Sequence, residues 1–192
     1  IAMVNYYKIY KEKRNLDLIS IYLNFINFCQ QKDGRFLNYV NKNQRFSDQN
    51  YKENLEDANG RAIWAIGTII KNKELLPRKF YHLAEEIMKK ALPIIHTYYS
   101  TRAMAFAIKG LCYQDSPESI SEIRLLSNRL VEMYNNERDE DWHWFESYLT
   151  YANAVLPEAL LLAYRRTNIS QYKQVSDKTF KFLLSKIIIN DQ

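Results

Sequence analysis

Apolar positions recur along this chain with the period of a helix. From Leu16 to Gln30, the residues Leu16, Ile19, Leu23, Ile26 and Phe28 supply an apolar side at roughly helical spacing. This predicts a helix over 16–30. A polar stretch follows, Asp33-Gly34-Arg35-Phe36-Leu37-Asn38 and then Asn41 to Asn50, rich in the residues that favour turns. Loops of this length are uncommon in compact domains unless they have a task of their own.

Helical periodicity then returns in pairs. Asn54–Lys71 is followed by Arg78–His96, Ser100–Tyr113 by Pro117–Asn135, and Leu156–Arg166 by Ser170–Ile189. Three of the four prolines mark boundaries. Pro77 lies just ahead of a helix, Pro117 suits a first helical position behind a Ser116 N-cap, and Pro157 suits a helix start better than an interior. The first members of the pairs are similar to each other. Gly60-Arg61-Ala62-Ile63-Trp64-Ala65 compares with Thr101-Arg102-Ala103-Met104-Ala105-Phe106 and with Ala152-Asn153-Ala154-Val155-Leu156-Pro157. A repeat of about 40 to 50 residues suits stacked helical hairpins.

The first helix of each pair is apolar almost all round and should be covered on most sides; the second is amphipathic and more charged. An inner layer beginning near Leu55, Ser100 and Asn153, with an outer layer behind it, is the expectation. The predicted fold is all-α, an (α/α) toroid-like array of helical hairpins in one domain over 1–192. Three pairs cannot close a six-pair ring, so the array is an arc; an open α-solenoid is the other layout.

Composition agrees with helices. Glycine and proline number 4 each, too few for the tight turns of a β-sandwich. The formal charge of +5 would suit nucleic acid if it were gathered on one face. Instead the basic residues are scattered among acids and at helix ends, so no nucleic-acid partner is expected. No apolar stretch is long enough to span a bilayer, and no membrane partner is expected. There is no metal motif and no phosphate-cradling glycine loop, hence no expected cofactor. Cys29 and Cys112 sit among apolar neighbours and should be unpaired, buried thiols in a reducing, cytoplasmic compartment.

Candidate chemistry lies just ahead of the inner helices. Glu56, Asp57 and Arg61 open the first; acids there are favoured by the helix start, and together the three can clamp sugar hydroxyls. Asp139-Glu140-Asp141-Trp142-His143-Trp144-Phe145-Glu146 sets two Trp around a His with acids on either side. Flat rings cover the apolar face of a pyranose while carboxylates take its hydroxyls; the other reading is an aromatic plug closing the bundle. Tyr98 to Arg102 occupies the matching place in the middle hairpin, where Arg102 can hold a carboxylate of a neighbouring loop.

Several runs together resemble a six-hairpin glycosidase-like family, the α/α toroid region associated with some bacterial glycosyltransferases. They are Asp33-Gly34-Arg35-Phe36, Glu56-Asp57 leading into Gly60-Arg61-Ala62-Ile63-Trp64-Ala65-Ile66-Gly67, and Trp142-His143-Trp144-Phe145-Glu146. Leu149 to Ala154 and Leu156 to Leu160 complete the pattern. The resemblance spans about 16–190 and implies a toroid fold and a role in carbohydrate metabolism. The chain holds about half the hairpins of a full ring, as expected of a fragment or a divergent member.

Glycan hydrolysis needs two carboxylates across a cleft, roughly 5 to 9.5 Å apart. The candidates are Glu56, Asp57, Asp141 and Glu146. Candidate sugar-binding residues are Arg61, Trp64, Tyr98, Arg102, Trp142, His143, Trp144, Tyr151 and Asn153. The competing function is a non-catalytic scaffold for a protein partner such as a glycosyltransferase domain, marked by an exposed apolar patch. An epimerase or lyase is a third class, with His143 as its obvious acid/base.

Overall fold

The computed structural model describes residues 1–188. Its α-helices are α1 (Ala2–Tyr10), α2 (Lys13–Cys29), α3 (Glu56–Lys71), α4 (Arg78–Ile95), α5 (Thr101–Leu111), α6 (Pro117–Glu137), α7 (Val155–Thr167) and α8 (Ser170–Ile187). Among the described residues there is no strand. The all-helical array of hairpins is therefore observed, and the inner helices begin where the sequence places them. The expected extension of the last helix to Ile189 lies outside the described residues.

Helix α1 is an addition to the predicted elements. It is short and weakly patterned, with Val4 its one buried residue. It pairs with α2, and α2 packs on α4, so this hairpin precedes the three that the repeat predicts. Val4, Ile19 and Leu23 line one small cavity with Ala65 and Ile69 of α3.

The inner layer is α3, α5 and α7, and pairs of residues across it fix its direction. Gly60 of α3 lies against Ala103 of α5, and Gly67 against Gly110. Arg102 of α5 reaches Asn153 just before α7, and Lys109 reaches Glu158 within α7. Residue numbers rise together in both comparisons, so the three helices run parallel. The α3–α5 seam is backbone against backbone. A Cβ added at Gly67 would stand 2.2 Å from the Gly110 carbonyl oxygen, and one added at Gly110 would stand 2.3 Å from that of Ile63. Only glycine permits this approach.

Flanked so closely, α5 has all 11 of its residues buried. Met104, Phe106, Ile108 and Leu111 each contribute about 1.5–3 kcal/mol of apolar burial. The outer helices bury one stripe each; in α4 it is Phe80, Ala84, Ile87, Met88, Ala91 and Ile95. Helix α6 begins as its sequence indicates, with Pro117 in the first turn and the Ser116 hydroxyl accepting from the Ser119 N–H at 3.1 Å.

Cys29 and Cys112 are free and buried. Burial pushes the Cys112 thiol up to about 12, with Arg166 opposing. Among the described residues no helix is long and apolar enough to cross a membrane.

Candidate functional site

Parallel inner helices bring their N-terminal turns to one end of the array, and the three stretches singled out in the sequence meet there. Glu56, in the first turn of α3, accepts the N–H groups of Tyr99 and Ser100 on one oxygen, Oε2, at 2.8 and 2.6 Å. This carboxylate ties the start of α3 to the turn before α5. Its neighbour Asp57 accepts from Arg61 Nε at 2.6 Å and from the Tyr151 hydroxyl at 2.9 Å. Arg61 lies over the Phe106 ring, 4.4 Å from its centroid.

Arg102 forms a second, more buried knot. One guanidinium nitrogen donates to both Glu146 oxygens, at 2.9 and 2.7 Å. Nε donates to the Tyr151 carbonyl at 2.8 Å, and the remaining nitrogen donates to Asn153 Oδ1 at 3.1 Å. The Thr101 hydroxyl donates to Glu146 as well, at 2.7 Å. Asn153 closes its own turn by accepting the Thr150 N–H and donating to the Thr150 carbonyl. These contacts occupy Arg102, Glu146 and Asn153 in holding the segment before α7 onto α5, the loop pairing that the sequence allowed for Arg102.

The Trp pair faces elsewhere. Trp144 is fully buried against Phe145 and Phe182, so it offers no face to a ligand. Trp142 donates its indole N–H to the Glu146 carbonyl at 2.7 Å and sets its ring edge-on to Phe182 of α8. His143 packs edge-on to the same Phe182, with Nδ1 buried and without a hydrogen-bond partner among the described residues. The run is an aromatic plug between the 138–154 segment and α8. Its amphipathic look in sequence reflects neighbours of both kinds, acids outside and Phe182 inside. Asp141 is exposed, on a turn where Asp139 accepts the Asp141 and Trp142 N–H groups. Trp64 stacks on Phe106 at 5.5 Å between centroids and carries Lys109 over its ring at 3.9 Å. It thereby roofs α5 and shields the buried Lys109, which pairs with Glu158 at 2.6 Å.

The open space at this end is a cleft of about 400 Å³ beside Glu56. The long polar segment builds its far wall. Two buried asparagines shape that segment. Asn59 of α3 accepts the Phe36 N–H and donates to the Phe36 carbonyl, at 2.8 and 2.9 Å. Asn50 accepts from Asn38 and Tyr39 and donates to the carbonyls of Tyr39 and Ser47. Gly34, at φ 94°, lies against the Lys90 carbonyl, where a Cβ would come within 2.2 Å. The loop is thus held like a folded element, and its two ends, with Asp33, Arg35, Asn50, Tyr51 and Glu53, line the cleft.

Two residues named from sequence, Glu56 and Tyr98, line this cleft. Asp33, Arg35, Tyr51 and Glu53 join them. Asp33 and Arg35 stand in the Asp33-Gly34-Arg35-Phe36 run that carries part of the resemblance; for Tyr51 and Glu53 the length and polarity of their segment was the signal. Arg35 grips Asp33 at 2.8 Å through Nε, and this contact draws the Asp33 carboxyl below its ordinary range. Tyr98 is buried, and burial followed by the nearby Glu56 charge raises its hydroxyl far above the ordinary tyrosine range. It remains a proton donor. A second hollow, on the other side of the Tyr99–Ser100 turn, is lined by Glu146 and the exposed Tyr99 and Tyr148.

Compared with protein-family models and with curated proteins, the chain matches none.

Proposed function

We propose that this chain is a carbohydrate-binding domain, an arc of an α/α toroid of the six-hairpin glycosidase-like type, with its site in the cleft beside Glu56. The observation that carries this reading is the wall of that cleft. It combines an aromatic face, Tyr51 at 77% exposed, with carboxylates and a guanidinium. That mixture suits a ring with one apolar face and a rim of hydroxyls. Binding is favoured over hydrolysis because the inner-helix acids are engaged elsewhere. Asp57 and Glu146 hold side chains of their own fold, and Glu56 fastens the α5 turn. Free, buried thiols favour a cytoplasmic setting.

Glycan-array binding followed by calorimetry tests the reading, with Tyr51→Ala as the diagnostic variant. A parent that binds and a folded variant that does not is the expected result. A parent that binds no glycan overturns it.

A second reading, a scaffold for a protein such as a glycosyltransferase domain, draws on a different surface. Ile21, Tyr22, Phe25 and Phe28 leave an apolar face of α2 exposed.

A further inference from the structure

We infer that the cleft beside Glu56 selects saccharides that carry a free amino group. This rests on the carbohydrate reading above and concerns which sugar that cleft takes.

The whole chain carries a formal charge of +5, yet among the described residues no lysine stands in the cleft wall. Its charged lining groups are Asp33, Arg35, Glu53 and Glu56. Asp33 and Arg35 cancel, joined at 2.7 Å. Glu56 commits one oxygen, Oε2, to two backbone N–H groups and leaves Oε1 over. Glu53 is exposed and forms no ion pair among the described residues. Lys32 and Lys52 flank these residues in sequence but are not part of the wall. The balance within the cleft is therefore negative, opposite in sign to the protein around it.

An independent feature asks for a second kind of group. Tyr98 lines the same cleft at 3% exposed, and its hydroxyl has no hydrogen-bond partner among the described residues. A buried hydroxyl left unpaired is costly, and a small turn of the Tyr98 side chain into the cleft would let an oxygen of the ligand satisfy it. Tyr51 adds an aromatic face.

These demands sort ligands by chemistry. A neutral sugar answers Tyr98 and Tyr51 but leaves the carboxylates without a cation. A simple amine does the reverse. A sugar with a protonated amine on its ring answers all of them, because an ammonium donates charge-assisted hydrogen bonds to carboxylates while its ring oxygens accept.

The test is calorimetric titration of the full chain at mildly acidic pH, where the sugar amine is protonated. Three ligands of equal length and linkage are compared: glucosamine oligomers, their N-acetylated counterparts and glucose oligomers. The glucosamine series should bind about tenfold tighter, roughly one charge-assisted hydrogen bond in magnitude, and added salt should shrink the advantage. Glu53→Gln should bring the ratio of amine to neutral affinity close to one. Tyr98→Phe should weaken all three series alike.

Equal binding of all three series in the parent overturns the amine selectivity and leaves the carbohydrate reading standing. A glucosamine preference that survives both salt and Glu53→Gln also overturns it, since the preference then arises outside this cleft. Binding of no saccharide at all removes the inference together with the reading beneath it.

Discussion

Arg61 and Arg102 hold matching places in the repeated run ahead of the inner apolar residues, yet they do different work. Arg102 and its partner Glu146 expose 6% and 18% of their side chains; Arg61 and Asp57 expose 47% and 32%. Arg61 pairs within its own helix, four residues from its acid. Arg102 pairs across 44 residues of chain and also holds the Tyr151 carbonyl and Asn153. A local motif decided the residue type in both cases. Neighbours brought by the fold decided the role: the α5 side of the mouth is locked, and the α3 side is open to solvent and borders the cleft.

The largest effect that tests this contrast is Arg102→Ala. Removing the guanidinium leaves Glu146 partly buried without its cation and orphans the Tyr151 carbonyl. Breaking a buried pair from one side costs about 3–5 kcal/mol. Chemical denaturation should report a loss of that size. Arg102→Lys should recover part of it, since charge returns but the fork that reaches three partners does not. A loss no greater than that of Arg61→Ala would erase the distinction between the two sides.

On the open side the counterpart of Arg102 is a neutral residue. Asn59 holds the polar segment by pairing both backbone groups of Phe36 from within α3. Asn59→Ala should destabilise by about 1–3 kcal/mol, because the Phe36 N–H loses its acceptor in a buried setting. Hydrogen exchange should accelerate across residues 31–53 while α5 stays protected. Uniform acceleration across both regions would mean that the loop and the core open together.

Arg61→Ala should cost less than about 1 kcal/mol, as exposed ion pairs do. Its double-mutant cycle with Asp57→Asn should give a coupling well below that of Arg102 with Glu146, read by urea melts.

These contrasts separate what was legible in the sequence from what was not. The inner layer was legible from the similar runs that open its helices, but the all-round covering expected of each holds in full for α5 alone: α3 buries 8 of its 16 residues and α7 buries 5 of its 13. Convergence of the three stretches at one end followed from parallel helices. Between a sugar platform and an aromatic plug for Trp142 and Trp144, linear spacing could not choose, because it does not reveal that Phe182, from a helix about 40 residues away, receives them. Helix α1 has too few apolar positions to announce itself. Asp33 and Arg35 were visible as a motif but not as part of a site, and Tyr51 and Glu53 carried no mark, because their segment takes its order from Asn50 and Asn59, two side chains that replace the backbone pairing of regular structure.

Glu122 offers the smallest effect and a case between the two arginine settings: a partly buried acid with no fork to receive it. It lies on α6, and its Oε2 is buried without a hydrogen-bond partner among the described residues. Burial raises the carboxyl above the ordinary glutamate range, and the charges of His96 and Arg129 pull it back in part. Arg129 itself is engaged, donating to the carbonyls of His96 and Tyr98. The sign follows from proton linkage. Well below the unfolded value of about 4.3, both states hold the proton and Glu122 costs nothing. As pH rises past that value the unfolded chain releases its proton while the folded one keeps it, so stability falls until the raised folded value is passed. Above that folded value the penalty stays constant. Glu122→Gln removes it and should stabilise the protein by up to about 1 kcal/mol at neutral pH. The gain should vanish on acidification, when parent and variant both carry an uncharged group at this position. Urea melts of the two proteins across the acidic to neutral range provide the measurement. A variant less stable than the parent at neutral pH would show that attraction to His96 and Arg129 outweighs the cost of burying the charge.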